Sequence, residues 1–331
     1  MAGVEGLEAE PHAIFGPVAA DLETIEAGLR RLIENDPDVV SAPMADLFAA
    51  GGKRIRPALV LLAARCGAYD LEKLTPAAMA VELVHAATLV HDDVIDRAQV
   101  RRGRPTVAAT LGDEAAIVVG DFYFAKAYEQ AAFTESPEAV AILARAVMDI
   151  CAGEVRQQAI RHRYDTEVDE YMRRIEAKTA TLLAACCDVG ALLGGLDAGK
   201  RSAIRAYGRL LGLAFQIADD VLDYESSEDE IGKPIGHDIA EGFATLPLMM
   251  ALDDRNVAGK LKKLLQSHRE LTGQEAHEVV ELVRTSHGPE RALERARELA
   301  SEARRQLETL GAGEAQVALA ALTTYVVSRK L

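Results

Sequence analysis

Two short segments of this 331-residue chain repeat one acidic pattern, His91-Asp92-Asp93-Val94-Ile95-Asp96 and Ala218-Asp219-Asp220-Val221-Leu222-Asp223. Each lies near the end of a long apolar run. Positions three and four apart share a face of a helix, so each segment aims its carboxylates in one direction. Like charges at that spacing cost roughly 0.2–0.5 kcal/mol per pair on an isolated helix, and Asp is a poor interior residue. A fold that contains this arrangement twice needs two long apolar helices whose ends meet a compensating cation. A solvated acidic helix end is the plain alternative for one segment. It is a weak account of two.

The rest of the chain also reads as helix. Hydrophobic residues make up 49% and aromatics 5%, with no Trp, so the apolar content comes mainly from Ala, Leu and Val. Alternating strand patterns are hard to find. Thr75-Pro76 and Ser136-Pro137 each place a capping residue before Pro at a helix start, and a basic loop precedes another start near Pro57. A helical segment from about Glu167 ends at Gly194-Gly195, and a further helix is expected over 200–224. The polar, aperiodic stretch 225–242 reads as a long loop, and shorter amphipathic helices follow Phe243. No composition break divides the chain. The expectation is a flexible N-terminal segment over 1–20 and a single helical domain over 21–331.

A net charge of -15 argues against nucleic-acid binding as the main activity. Cys66, Cys151, Cys186 and Cys187 lack metal-ligand spacing and read as reduced core thiols. With no basic leader and no apolar run of about 18 residues, the expected location is cytoplasmic.

Hard carboxylates without Cys or His partners suit Mg²⁺, which takes one or two carboxylates plus substrate phosphate oxygens. Cations supply the other half. Gly51-Gly52-Lys53-Arg54-Ile55-Arg56-Pro57 is a compact basic loop, and Arg101-Arg102-Gly103-Arg104-Pro105 lies just past the first acidic segment. Lys178 and Lys233 are further single cations. A pair of diphosphates would satisfy two acidic metal-binding faces and these cations together.

Over nearly the whole chain from about Leu47, the sequence resembles the trans-isoprenyl diphosphate synthase (polyprenyl synthetase) family. The motifs GGKRIRP, ELVHAATLVHDDVIDRAQVRRGRPT, GDFYFAKA, EAKTATLL, FQIADDVLDY and GKPIGHDIAEGFATLP carry the resemblance, in the family's order. It implies an all-α bundle of antiparallel helices around a central cavity, of the isoprenoid synthase type, assembled as a homodimer. The implied reaction joins isopentenyl diphosphate head-to-tail to an allylic diphosphate through an allylic carbocation. Three Mg²⁺ ions, with Mn²⁺ as a substitute, are implied on Asp92, Asp93, Asp96, Asp219, Asp220 and Asp223. Lys53, Arg56, His85 and Arg102 would hold isopentenyl diphosphate. Arg101, Lys178, Thr179, Gln216 and Lys233 would hold the allylic diphosphate, with Lys178 also among the catalytic set.

Many resembling chains carry Lys where this one has Phe243, so one diphosphate contact is missing there. Small residues precede Asp92, with Ala87 and Thr88 one turn back and Val84, Val81 and Ala80 below, and no Phe or Tyr blocks the nearest positions. In the family this resembles an open shaft and a product longer than C20. Phe122, Tyr123 and Phe124 on the next helix offer a floor, which keeps geranylgeranyl (C20) and farnesyl diphosphate as alternatives. A non-catalytic subunit of a heteromeric synthase is the non-enzyme alternative, though such subunits typically lose an acidic cluster. Membrane contact during product release stays open.

Overall fold

The computed structural model describes residues 14–49, 51–225, 236–266 and 269–328. They are overwhelmingly helical. A 3₁₀ turn at Gly16–Val18 leads into α1 (Ala19–Glu34), α2 (Asp38–Ala49), α3 (Ile55–Ala64) and α4 (Leu71–Ile95). A two-residue hairpin, β1 (Val100–Arg101) and β2 (Arg104–Pro105), is the sole sheet among the described residues. Helices α5 (Val107–Leu111), α6 (Asp113–Ala132), α7 (Pro137–Ala159) and α8 (Val168–Ile175) follow. One π turn, Glu176–Ala180, joins α8 to α9 (Thr181–Leu193), and α10 runs from Ala198 to Glu225. The remainder is α11 (His237–Ala240), α12 (Leu246–Ala251), α13 (Ala258–Leu265), α14 (Gly273–Arg284), α15 (Gly288–Gln306) and α16 (Glu314–Ser328).

The chain groups into two compact units. One comprises Met1–Val147, Leu182–Ala206 and Gln306–Tyr325, the other Met148–Thr181, Tyr207–Arg305 and Val326–Leu331. In the first, α4 is the central element and packs chiefly on α6 and α3. Its buried residues include Ala77, Ala78, Ala80, Ala86 and Ala87, which let neighbouring helices approach closely. Gly120 on α6 marks one close approach: a Cβ there would lie 2.2 Å from Nε2 of His91.

Several expectations need correction. Thr75 does not cap α4. The helix starts one turn earlier at the Asp70 cap, Pro76 lies inside it, and the Thr75 hydroxyl donates back to the Leu71 carbonyl. The capping signal was real at Ser136, whose Oγ accepts from Ala139 N. Helix α4 also has the length and hydropathy of a membrane span, but 67% of that stretch is buried inside the protein, as in a core helix. Cys186 and Cys187 are buried, and burial pushes the Cys186 thiol up to about 12. Cys151, by contrast, is exposed on α7. Within 1–20, Ile14, Phe15 and Val18 are buried and α1 already begins at Ala19. The 225–242 stretch contains the short helix α11, and its residues 226–235, with Lys233, lie outside the described residues.

Candidate functional site

In the first unit, the basic loop is fixed by Arg54. This residue adopts the left-handed conformation (φ 48°) at the start of α3 and donates to Glu82 at 2.9 Å and Glu26 at 3.2 Å. Arg56 is thereby placed in the first turn of α3. Its Nε is buried without a hydrogen-bond partner among the described residues. An unsatisfied buried donor costs about 1–3 kcal/mol, more when charged, so the position calls for an anion.

His85, on α4, sits beside it. Burial and then the charges of Arg56, Arg102, Arg101 and Arg54 push its imidazole well below the usual histidine range. The ring is neutral in a ring of guanidinium groups. Arg102, at the hairpin turn (φ 51°), donates to the Gly51 carbonyl and so ties the RRGRP turn to the GGKR loop. Three of the four residues expected to hold isopentenyl diphosphate, Arg56, His85 and Arg102, thus converge. The fourth, Lys53, rests over the Tyr325 ring at 5.4 Å.

The last turn of α4 presents the first acidic cluster. Asp93 is 2% exposed and accepts from Arg101 Nε and Nη2, each at 2.8 Å. Asp92 and Asp96, one turn apart, are both partly exposed. The Asp93–Arg101 pair fixes the hairpin against the end of α4, so two residues read as separate ligands hold each other. Below them Val81, Val84 and Ala87 are buried, and Thr88 donates to the His85 carbonyl. Tyr123 is buried on α6 with its hydroxyl donating to Asp36 at 3.2 Å, beside the Lys126–Asp36 pair.

In the second unit, the π turn carries Lys178 and Thr179. A π turn inserts a residue into the helix and re-aims side chains, a distortion frequent at functional sites. Here it is closely wrapped: a Cβ on Gly153 of α7 would lie 2.5 Å from Ala177 Cβ, and one on Gly212 of α10 would lie 2.5 Å from Ala180 Cα. The turn aligns a chain of hydrogen bonds. Thr179 Oγ1 donates to Gln216 Oε1 at 2.6 Å, and Gln216 Nε2 donates to Asp220 at 2.8 Å. Lys178 Nζ lies 3.3 Å from Glu154. Thr179, Gln216 and Asp220 are thus linked in one chain, with Lys178 on the same turn.

Asp220 is 3% exposed and also accepts from the Tyr171 hydroxyl at 2.7 Å. Burial, reinforced by nearby Asp238, pushes its carboxyl up to about 8. Asp223 accepts from the backbone N–H groups of His237 and Asp238, each at 3.2 Å, and so caps α11. Asp219 is partly exposed on the same helix end. Asp238 and Tyr171 were not singled out in the sequence. The paired HD in GKPIGHDIAEG was the available signal for Asp238, whereas nothing local marks a tyrosine as a carboxylate partner.

Among the described residues no three His, Cys, Asp or Glu side chains converge enough to hold a metal ion alone. The donor set nonetheless fits Mg²⁺, since all its ligands are hard carboxylates and the ion draws other ligands from water and substrate phosphates. An acid raised to about 8 by burial, and then by a nearby carboxylate, is a position where a cation favours ionisation.

A family model described as polyprenyl synthetase matches residues 37–283. A heptaprenyl diphosphate synthase component 2 of Geobacillus stearothermophilus is 42% identical over 74% of this chain and 77% of its own length. Among solved structures, a polyprenyl synthase from Caulobacter crescentus, complexed with calcium and isoprenyl diphosphate, superposes with a TM-score of 0.91 at 36% identity, covering 98% of this chain and 100% of that one. A heptaprenyl diphosphate synthase from Staphylococcus aureus gives 0.89 at 30% identity, covering 94% and 98%.

Proposed function

Because the chain belongs to the polyprenyl synthetase family, we propose that it condenses isopentenyl diphosphate head-to-tail with an allylic diphosphate to give a trans-polyprenyl diphosphate longer than C20. The observation that carries this reading is Arg56. Its partnerless buried Nε and the neutral His85 lie among guanidinium groups, a setting suited to a doubly charged phosphate. The heptaprenyl synthases among its relatives support the long product. So does the row of Val81, Val84 and Ala87, which contains no aromatic ring.

Each group has a stated task in this chemistry. Arg56, His85 and Arg102 orient isopentenyl diphosphate, and Lys53 adds charge nearby. Lys178, Thr179 and Gln216, ordered by the π turn, meet the allylic diphosphate. Asp92, Asp96, Asp219 and Asp220 would hold Mg²⁺, with Asp93 and Asp223 fixing the backbone around them. When bound, the ions supply Lewis-acid neutralisation of the departing diphosphate. The apolar wall of α4 keeps water from the allylic carbocation. Localisation in the cytoplasm and assembly as a homodimer belong to the same proposal.

A second reading concerns self-sufficiency. The Geobacillus relative is named as component 2 of its synthase, which favours a partner subunit of another kind. One experiment addresses both readings: incorporation of labelled isopentenyl diphosphate by the purified chain alone, with an allylic primer, in Mg²⁺ and again with a chelator. Chelator-sensitive incorporation supports the proposal. Folded chain that binds diphosphate yet incorporates nothing supports the two-component reading.

A further inference from the structure

Phe243 is buried at 8% exposure, at the position where many resembling chains carry Lys. Two guanidinium groups lie against its ring, Arg174 at 5.6 Å and Arg161 at 5.8 Å from the centroid. They are differently placed. Arg161 pairs with the Glu241 carboxylate and donates Nε to the Glu241 carbonyl at 2.7 Å, so its charge is answered locally. Arg174, at the end of α8, donates to the Ala244 carbonyl at 2.7 Å, and no carboxylate pairs with it among the described residues. Among the described residues, most of its five guanidinium donors remain unspent.

Arg174 also lies 5.3 Å from the Tyr171 centroid, so it is seated against two aromatic rings. Tyr171 in turn gives its hydroxyl to Asp220. The same side chain therefore carries a guanidinium on its face and the second acidic cluster at its tip. The turn bearing Phe243 is firmly held: Phe243 N donates to the Asp238 carbonyl at 2.8 Å and His162 N to the Gly242 carbonyl at 2.8 Å. A guanidinium ordered on two rings loses little further freedom on binding, and its planar fork matches phosphate oxygens.

We infer that Arg174, seated against Tyr171 and Phe243, is a further binding residue for the diphosphate of the allylic substrate at the second acidic cluster. The inference rests on the functional reading above and names one more contact within it. Phe243 acts as the platform that orients this cation, which accounts for an aromatic ring where a lysine is common.

The test is calorimetric titration of the full chain with inorganic diphosphate in Mg²⁺, joined to KM values for both substrates. Arg174→Gln keeps a donor for the Ala244 carbonyl but removes the charge. It should weaken diphosphate binding and raise the allylic KM about tenfold to hundredfold, the loss expected for one charge-assisted contact, and change the isopentenyl diphosphate KM far less. Arg174→Lys should recover part of the loss. Should Arg174→Gln fail to fold, Phe243→Leu removes the platform and leaves the charge, and should raise the allylic KM severalfold. Unchanged diphosphate binding and unchanged allylic KM in a folded variant overturn the inference. Wild-type protein that binds diphosphate but incorporates no isopentenyl diphosphate overturns the enzymatic reading instead, and the Arg174 contact is still decided by the titration. Absence of diphosphate binding in the wild type overturns both.

Discussion

The hydroxyl of Tyr171 donates to the Asp220 carboxylate across 2.7 Å, with both side chains buried. Together with Gln216 it gives a buried acid two donors, and the same linkage ties α8 to the end of α10. Tyr171→Phe removes one donor and leaves the ring in place. The expected cost is about 1–3 kcal/mol of stability, since one bond to a buried carboxyl is lost. Denaturant unfolding of the metal-free protein checks it, and a change within error would show that the bond contributes nothing net.

The buried acid predicts a pH dependence. In the fold the Asp220 carboxyl is pushed up to about 8 by burial and by Asp238, against roughly 3.9 in an unfolded chain. The folded state therefore holds the extra proton. Its contribution is fully present below the unfolded value and is lost as pH rises through the folded one, with a limiting slope of about 1.4 kcal/mol per pH unit. Melting temperatures of the metal-free wild type should fall relative to Asp220→Asn between about pH 4 and 8. Parallel curves would contradict the assignment.

Arg56 sets function against stability. Arg56→Met removes a buried donor that has no partner among the described residues and keeps the volume apolar. Melting of the substrate-free protein should not fall, while the KM for isopentenyl diphosphate should rise about tenfold to hundredfold. A fall in stability with an unchanged KM would make Arg56 a structural residue.

On α4, Ala87 and Val84 are buried with no Phe or Tyr in sequence between them and Asp92. Ala87→Phe should shorten the product by at least one isoprene unit, at an overpacking cost of about 1–3 kcal/mol. Chromatography of dephosphorylated products reads the length. An unchanged product distribution from folded variant would place the length-determining wall elsewhere.

Much of this was legible because it is local. The two DDxxD segments, the GGKRIRP loop and the helical class follow from spacing along one element, and spacing survives in a single sequence. What was not legible depends on packing. Asp93 and Arg101 were read as separate ligands, but the hairpin return of β1 brings them together as an ion pair. The π turn at Lys178 has no strong propensity signature. It packs closely against Gly153 and Gly212, which are distant in sequence. Asp238 joins the second cluster because Asp223 caps α11. Thr75 lost the cap to Asp70, whose side chain accepts from Glu72 N, and the helix runs through Pro76 although that residue has no N–H to give. Cys151 was misjudged because apolar neighbours in sequence do not say which face of α7 is covered.

The most direct measurement of the central claim is the chain length made by the purified protein from a C15 primer, isopentenyl diphosphate and Mg²⁺, resolved by mass spectrometry after dephosphorylation. The account predicts trans-polyprenols of C30 or longer, abolished by chelation and strongly reduced in Asp92→Asn. Growth that stops at C20, or no incorporation by folded protein with any allylic primer, would contradict it.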